Sequence, residues 1–332
     1  MSRALVTGIT GQTGSYLAEH LLAHGWEVHG LVRHSDSSRA AFSELAPAAE
    51  LHTGDLADLD GIVRLVRDVQ PTSIFNLGGL SSVARSWDDP IAAATITGLP
   101  VSALLDAALR LQESRDGHVS FVQASSAEIF GVAETSPQDE STPVRPSNPY
   151  GAAKAYGHHL VGVYRARGLA ASSCILYNHE SPRRPAEFVT RKITRGAARI
   201  RLGLQENLTL GNLEARRDWG WAPDFARALA AAATHPDDYV IATGVSHSVR
   251  DFAAAAFSAV GINDWEPLVT IDTALLRHGD AAVQAGNASR ARDVLGWKPS
   301  VTFEEMVRRM VEADLAEASN PEQSAHDRSG AR

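Results

Sequence analysis

Two hydrophobic periods alternate along the first half of the chain. Short apolar runs at 4–7, 28–32, 73–77 and 118–124 read as buried strands. Between them, apolar residues recur every three or four positions. Leu17, Ala18, Leu21 and Leu22 do so within 15–24, Ile62, Leu65 and Val66 within 61–69, and the run 101–111 repeats the pattern. These are helices with one core-facing stripe. The alternation predicts βαβ units and a parallel sheet. Later, strands fit 171–176 and 239–242, and helices fit 225–235, 249–260 and 303–318. The pattern therefore predicts an α/β protein. A Rossmann-like doubly wound parallel sheet would occupy 1–175 with later segments returning to it. A smaller C-terminal α/β domain for a substrate would occupy 176–318, and 319–332 would be a disordered polar tail.

Composition narrows the chemistry. The 332 residues are 44% hydrophobic, enough for a large core, and the formal charge of −8 disfavours a nucleic-acid partner. Basic residues bunch instead at 183–201 and at Arg216–Arg217, which favours one anionic ligand. The single cysteine, Cys174, cannot form an intrachain disulfide, and no Cys/His spacing suggests a metal. The chain enters a strand at once, without the apolar region of a signal peptide, and no run reads as a membrane span. The expectation is a cytoplasmic protein with no metal and no membrane partner.

A glycine turn, Gly8-Ile9-Thr10-Gly11-Gln12-Thr13-Gly14, lies between the first strand and the first helix. Glycines there allow a tight turn and let backbone N–H groups approach a pyrophosphate at the helix N-terminus. The second strand ends in Val32-Arg33-His34-Ser35, without the acidic residue that would accept a ribose 2′-hydroxyl. Arg33 and Ser35 suit a 2′-phosphate, so the expected cofactor is NADP. Asp55 and Leu56 would stand against the adenine, and Leu77, Gly78 and Gly79 would let the cofactor approach the end of another strand.

Tyr150-Gly151-Ala152-Ala153-Lys154 places a phenol and an ammonium four residues apart, on one helix face. The ammonium can stabilise a tyrosinate and lower the phenol pKa. Pro149 suits a helix start. Upstream, Ser125-Ser126-Ala127-Glu128 follows a strand and adds a hydroxyl and a carboxylate. Past the strand ending at Tyr177 comes Asn178-His179-Glu180-Ser181-Pro182-Arg183-Arg184, then Phe188-Val189-Thr190-Arg191-Lys192. Ligands of open α/β sheets bind beyond the carboxyl ends of strands, and this basic stretch suits a phosphate-bearing one.

Together these motifs, with Gly211-Asn212-Leu213 and Arg217-Asp218-Trp219-Gly220, resemble the extended short-chain dehydrogenase/reductases, and within them the GDP-mannose 4,6-dehydratases. The resemblance runs from Ala4 to about Leu315 and implies a hydro-lyase that uses NADP and GDP-mannose. It implies that Ser126 stands for the family's catalytic Thr, Glu128 for its acid/base, Tyr150 for its redox base and Lys154 for the partner lysine. His179 and Arg184 match cofactor contacts. Asn178, Val189, Lys192, Arg217 and Arg277 match positions that hold GDP, with Ser82 and Asp280 also on the substrate side.

The chain departs from the family at Thr13 (usually Asp), at Leu80 and Ser82 (usually Gln and His), and at Arg277-His278-Gly279-Asp280. The last two changes bear on sugar preference. The resemblance also implies a homodimer formed by the 101–111 helix and the helix of Tyr150 and Lys154. A tetramer is left open, because the 36–50 segment is short. Two competing readings are a dehydratase or epimerase of another GDP-sugar and a non-catalytic NADP-binding protein.

Overall fold

The computed structural model describes residues 2–115, 117–275 and 281–320. Arg277 and Asp280, and all of the expected tail beyond Asn320, lie outside these residues. Among the described residues there are thirteen strands: β1 (Arg3–Thr7), β2 (Glu27–Val32), β3 (Glu50–Thr53), β4 (Ser73–Asn76), β5 (Ser120–Ser126), β6 (Ala170–Leu176), β7 (Asn178–Glu180), β8 (Leu208–Leu210), β9 (Arg216–Trp221), β10 (Asp238–Ile241), β11 (Ser246–Ser248), β12 (Val269–Ile271) and β13 (Val283–Gln284). The helices are α1 (Gln12–Ala23), α2 (Arg39–Leu45), α3 (Leu59–Val69), α4 (Val83–Asp88), α5 (Pro90–Ala92), α6 (Leu99–Ser114), α7 (Pro149–Ala166), α8 (Val189–Arg201), α9 (Ala222–Ala232), α10 (Val249–Ala259), α11 (Ser289–Leu295) and α12 (Phe303–Ser319).

Seven strands form one sheet in the order β10-β6-β5-β4-β1-β2-β3, and every pairing in it is parallel. Strand periodicity divides its side chains between two cores. From β1, Ala4 and Val6 face Leu17, Leu21, Phe75, Phe225 and Leu229, while Leu5 faces Ile62, Ile74, Leu104 and Phe121. Strand order reverses at β1 and β4, which opens a crevice at their carboxyl ends. Thr7 Oγ1 donates to Asn76 Oδ1 (2.6 Å), and Asn76 Nδ2 donates to Gln123 Oε1 (2.8 Å), tying the ends of β1, β4 and β5 together. A third core lies under α8, α10 and α12, with Ile193, Leu208, Trp219, Phe252 and Met310. Beside it, β9 pairs with β7, β11 and β13.

Two differences from the sequence reading concern length and pairing. Pro90–Ser114 is one 25-residue helical stretch, long and apolar enough to cross a membrane by length and composition alone, contrary to the sequence expectation. Its most apolar part is half buried, through Val101, Leu104, Leu105 and Ala108 on the sheet, as in a core helix. The stretch after Tyr177 does not leave regular structure at once. Asn178–Glu180 pairs in parallel with Trp219–Trp221, and pairing ends before Pro182.

Candidate active site

The glycine turn is built for close approach. Gly8 has φ +67°, and a Cβ there would lie 2.9 Å from Gly78 Cα. A Cβ on Gly14 would lie 2.1 Å from the Gly8 carbonyl oxygen. Gly78 N donates to Thr7 Oγ1 (3.0 Å), and Leu56 packs beside Gly78. Gly11 begins α1 with no side chain to cap it, so the helix N-terminus opens into the crevice. Ser125 Oγ is buried at the end of β5 with no hydrogen-bond partner among the described residues. The side-chain-free cradle and this orphaned hydroxyl fit a dinucleotide along the crevice.

At the end of β2, Arg33 and Ser35 are exposed. Thr10 Oγ1 donates to Asp36 Oδ2 (2.6 Å), which folds Asp36 onto the glycine turn and leaves Arg33 as the charge facing outward. Asp55 is exposed after β3, with its carboxylate accepting from Ala57 N (2.9 Å). Gly79 follows β4 with φ +150°, and Leu80 N donates to Thr97 Oγ1 (3.0 Å). Ser82 caps α4 by accepting from Arg85 N (3.3 Å).

The structure brings Ser126, Glu128, Tyr150 and Lys154 together. Ser126 ends β5 and caps a short 3-10 turn by accepting from Glu128 N (3.3 Å). The Ser126 hydroxyl lies close enough to the Tyr150 phenol to draw its pKa downward. Lys154 lies one turn further along α7, with Nζ 5.8 Å from the centre of the Tyr150 ring. It donates to the Ala124 carbonyl (2.7 Å). Burial pulls Lys154 down to about 8. Burial also pushes Tyr150 up to about 12; the Glu128 carboxylate adds to the rise, while Ser126 and Arg184 oppose it. The sequence expectation of a lowered phenol pKa is therefore reversed in the protein by itself. Desolvation outweighs the opposing Ser126 hydroxyl and Arg184 charge, and the lysine directs a proton to a backbone carbonyl.

Sequence reasoning missed one member of this cluster. Asn148 is the N-cap of α7, where Oδ1 accepts from Gly151 N (2.8 Å). Its Nδ2 donates to Glu128 Oε2 (2.7 Å). One amide therefore starts the helix that carries Tyr150 and holds the carboxylate beside it. An Asn directly before Pro149 was the available signal for the cap; nothing in the spacing signalled the bond to Glu128.

His179 lies in β7 against the glycine turn. Its Nδ1 donates to the Tyr177 carbonyl (2.8 Å), which leaves Nε2 to accept from Thr13 Oγ1 (2.7 Å). Burial holds the imidazole down to about 4, so it is neutral at physiological pH. Gln12 Nε2 donates to the His179 carbonyl (2.8 Å), and Ser181 Oγ donates to Gln12 Oε1 (2.7 Å). The side chains of Gln12, Thr13 and His179 thus clamp the turn to β7. Arg184 lies over the Phe188 ring, with Nε 3.2 Å from Glu180 Oε2, and its charge reaches Tyr150.

Two other arginines of this stretch have internal partners. Arg183 pairs with Glu19 (2.6 Å) and stacks on Tyr16, and Arg191 joins Asp314 and Glu317 on α12. Asn178, Val189 and Lys192 are half-buried, at β7 and the first turn of α8. Arg217 is buried in β9, where Nη1 donates to the Arg216 and Ala281 carbonyls (2.8 Å each). Its neighbour Asp218 accepts instead from Thr243, Gly244 and Gly286.

Residues 5–310 match a family profile described as GDP-mannose 4,6 dehydratase. GDP-mannose 4,6 dehydratase 1 of Arabidopsis thaliana is 43% identical over 324 residues, spanning 94% of this chain and 89% of that protein. The Homo sapiens GDP-mannose 4,6 dehydratase is 43% identical over 340 residues, spanning 94% and 91%. Among solved structures, the Thermus thermophilus UDP-glucose 4-epimerase in complex with NAD superimposes with a TM-score of 0.82 at 28% identity, covering 94% of this chain and 98% of its own. The chain belongs to the GDP-mannose 4,6-dehydratase family.

Proposed function

We infer that the protein is an NADP-dependent hydro-lyase that converts GDP-D-mannose to GDP-4-dehydro-6-deoxy-D-mannose and water. The observation that carries this reading is a carboxylate, Glu128, held by Asn148 beside the Ser126–Tyr150 pair. Exchanging hydride at C4 needs only the hydroxyl, phenol and ammonium. Losing water across C5–C6 needs a further base next to them.

Bound NADP supplies the chemistry of taking hydride from C4 and giving it back at C6. The glycine turn, Arg33, Ser125 and Lys154 would hold it. Tyr150 takes the C4 hydroxyl proton as the tyrosinate, a form that the positive charges of Lys154 and of bound oxidised NADP would favour against the burial that holds the phenol protonated in the protein by itself, and Ser126 would hydrogen-bond the C4 oxygen as it becomes a carbonyl. That carbonyl acidifies C5, whose proton passes to Glu128. Glu128, now protonated, gives a proton to the departing C6 hydroxyl, which leaves as water. Tyr150 returns its proton to C5. The balance is one water lost, with the cofactor restored. His179, neutral and fixed by Thr13 and Tyr177, holds the turn in place and moves no proton.

In this reading the seven-stranded part takes the dinucleotide, and the segments after 176 take GDP through Asn178, Val189, Lys192 and Arg217. A homodimer fits α6 and α7, whose outer face leaves Leu99, Tyr156 and Val163 exposed. The test is incubation with GDP-mannose and NADP, followed by mass spectrometry for loss of one water. UDP-glucose and GDP-glucose serve as controls. No product from GDP-mannose, or equal product from a control sugar, overturns the assignment. In Glu128→Gln, C4 oxidation should persist while exchange of the C5 proton with deuterated solvent stalls; wild-type exchange would remove Glu128 from the reaction.

A further inference from the structure

The β2–β3 margin of the sheet carries a cluster that the dehydration does not use. Parallel register sets His29 opposite Glu50 and Leu31 opposite His52. Side chains two apart share a sheet face, so Glu27 and His29 on β2 stand on the same face as Glu50 and His52 on β3. Arg3 on β1, opposite Glu27, joins them.

We propose that His29, His52 and Glu50 form a site for a divalent transition metal of the zinc type. His29 Nδ1, His52 Nε2 and a Glu50 carboxylate oxygen all lie within 4.8 Å of one another. The two ring nitrogens are 2.9 Å apart, and the Glu50 oxygens lie 3.6 Å from His29 Nδ1 and 3.7 Å from His52 Nε2. Tetrahedral zinc with bonds of about 2.0–2.1 Å sets its ligands about 3.3 Å apart, so small side-chain shifts place three donors around one ion. Two imidazoles and a carboxylate form a donor set that suits zinc and leaves a fourth position for water.

The surroundings favour a ligand role over a bare hydrogen bond. Glu27 Oε1 lies 2.9 Å from His29 Nε2 and accepts its proton. That fixes the tautomer with the Nδ1 lone pair directed at His52. Arg3 in turn holds Glu27 at 2.9 Å. A carboxylate orienting the far nitrogen of a histidine is the outer shell that metal-binding histidines ordinarily have. His29 is buried, while the Glu50 side chain is 66% exposed, so one side of the cluster is fixed and the other gives entry from solvent. An ion here would pin β3, a four-residue edge strand whose only sheet neighbour among the described residues is β2.

The test uses the full chain stripped with chelator, then given Zn²⁺ or Co²⁺ and desalted. Metal content should reach one equivalent per chain, and the Co²⁺ form should show the strong visible absorption of a tetrahedral site. Zn²⁺ should raise the melting temperature of the wild type. Glu27→Gln should weaken binding by about 10- to 100-fold, as loss of an outer-shell partner does. His52→Gln should abolish the equivalent. Glu50→Ala alters an exposed side chain, keeps the fold and should remove the visible Co²⁺ band and the thermal shift. Less than one equivalent in the wild type, or unchanged binding in Glu50→Ala and His52→Gln together, overturns the proposal and leaves the cluster a hydrogen-bonded pair.

Discussion

Asn148 joins folding to chemistry through one side chain, and the two roles can be separated by substitution. Its Oδ1 caps α7 and its Nδ2 holds Glu128. Asn148→Ala removes both, while Asn148→Ser keeps a capping oxygen and removes only the amide donor. Loss of the cap costs about 1 kcal/mol, or about 2 °C in melting temperature for a chain of this size. A hydrogen bond to a carboxylate contributes about 1.5–3 kcal/mol when fully buried. Glu128 is half-buried and water recovers part of that, so the lower end applies and turnover should fall about tenfold. Asn148→Ser should therefore melt within about 1 °C of wild type yet dehydrate GDP-mannose about tenfold more slowly. Asn148→Ala should show the same rate loss together with the lower melting point. The rate loss should appear in C5 proton exchange and not in the single-turnover appearance of reduced cofactor. Wild-type turnover in Asn148→Ser, or equal stability of the two variants, would refute the division of roles.

Other consequences follow from individual groups. Burial holds His179 near 4 against an ordinary 6.5, so the unfolded chain binds more protons than the folded one between those values. Stability should be full above pH 6.5 and fall by up to about 3 kcal/mol as pH drops to 4. Chemical denaturation across that window should show a shallower fall in His179→Asn; an unchanged slope would contradict it. Tyr150→Phe should lose about two to four orders of magnitude in product formation while NADP binding, read by fluorescence, persists. Arg33→Ala should weaken NADP more than NAD in equilibrium titrations, and equal wild-type affinity for both would end the 2′-phosphate assignment. A Cβ at Gly14 has no room beside the Gly8 carbonyl, so Gly14→Ala should abolish cofactor binding or the fold, as seen by titration and circular dichroism.

The main sheet was legible because two periods alternate cleanly where elements are long. Leu5 between Ala4 and Val6 divides β1 between two cores, and Leu17 with Leu21 marks the buried stripe of α1. Where elements are short, the pattern is silent. In 36–50 no period marks α2, and Asn178–Glu180 is polar throughout, so β7 shows itself only through pairing with β9. The grouping of Ser126, Glu128, Tyr150 and Lys154 was legible from spacing along one helix and one strand end. Its electrostatics were not, because the four-residue interval of Tyr150 and Lys154 carries no information about burial, and burial dominates both pKa values. Arg183 and Arg191 read as ligand cations from their density in the chain, but their carboxylates, Glu19 and Asp314, are more than a hundred residues away. His29 and His52 fit no metal spacing because register across two parallel strands, rather than a sequence interval, brings them together.

The clamp on the glycine turn suits a reaction that returns what it borrows. Gln12 and Thr13 are fastened to His179, Ser181 is fastened to Gln12, and Arg183 to Glu19, so several elements close over the start of α1. A dehydrogenase that releases reduced cofactor each cycle must open such contacts each time, at a cost in rate. A dehydratase that takes hydride from C4 and gives it back at C6 leaves the cofactor in its starting state, so only the sugar nucleotide must exchange. The bonds fall accordingly: the cofactor side is strapped by side chains from β7 and the loop after it. Arg217, assigned to the nucleotide, donates instead to carbonyls of β9 and its neighbour, on the sheet that faces the substrate segments. We therefore expect the cofactor to leave the protein more slowly than the sugar nucleotide; equal loss of both on gel filtration would refute the argument.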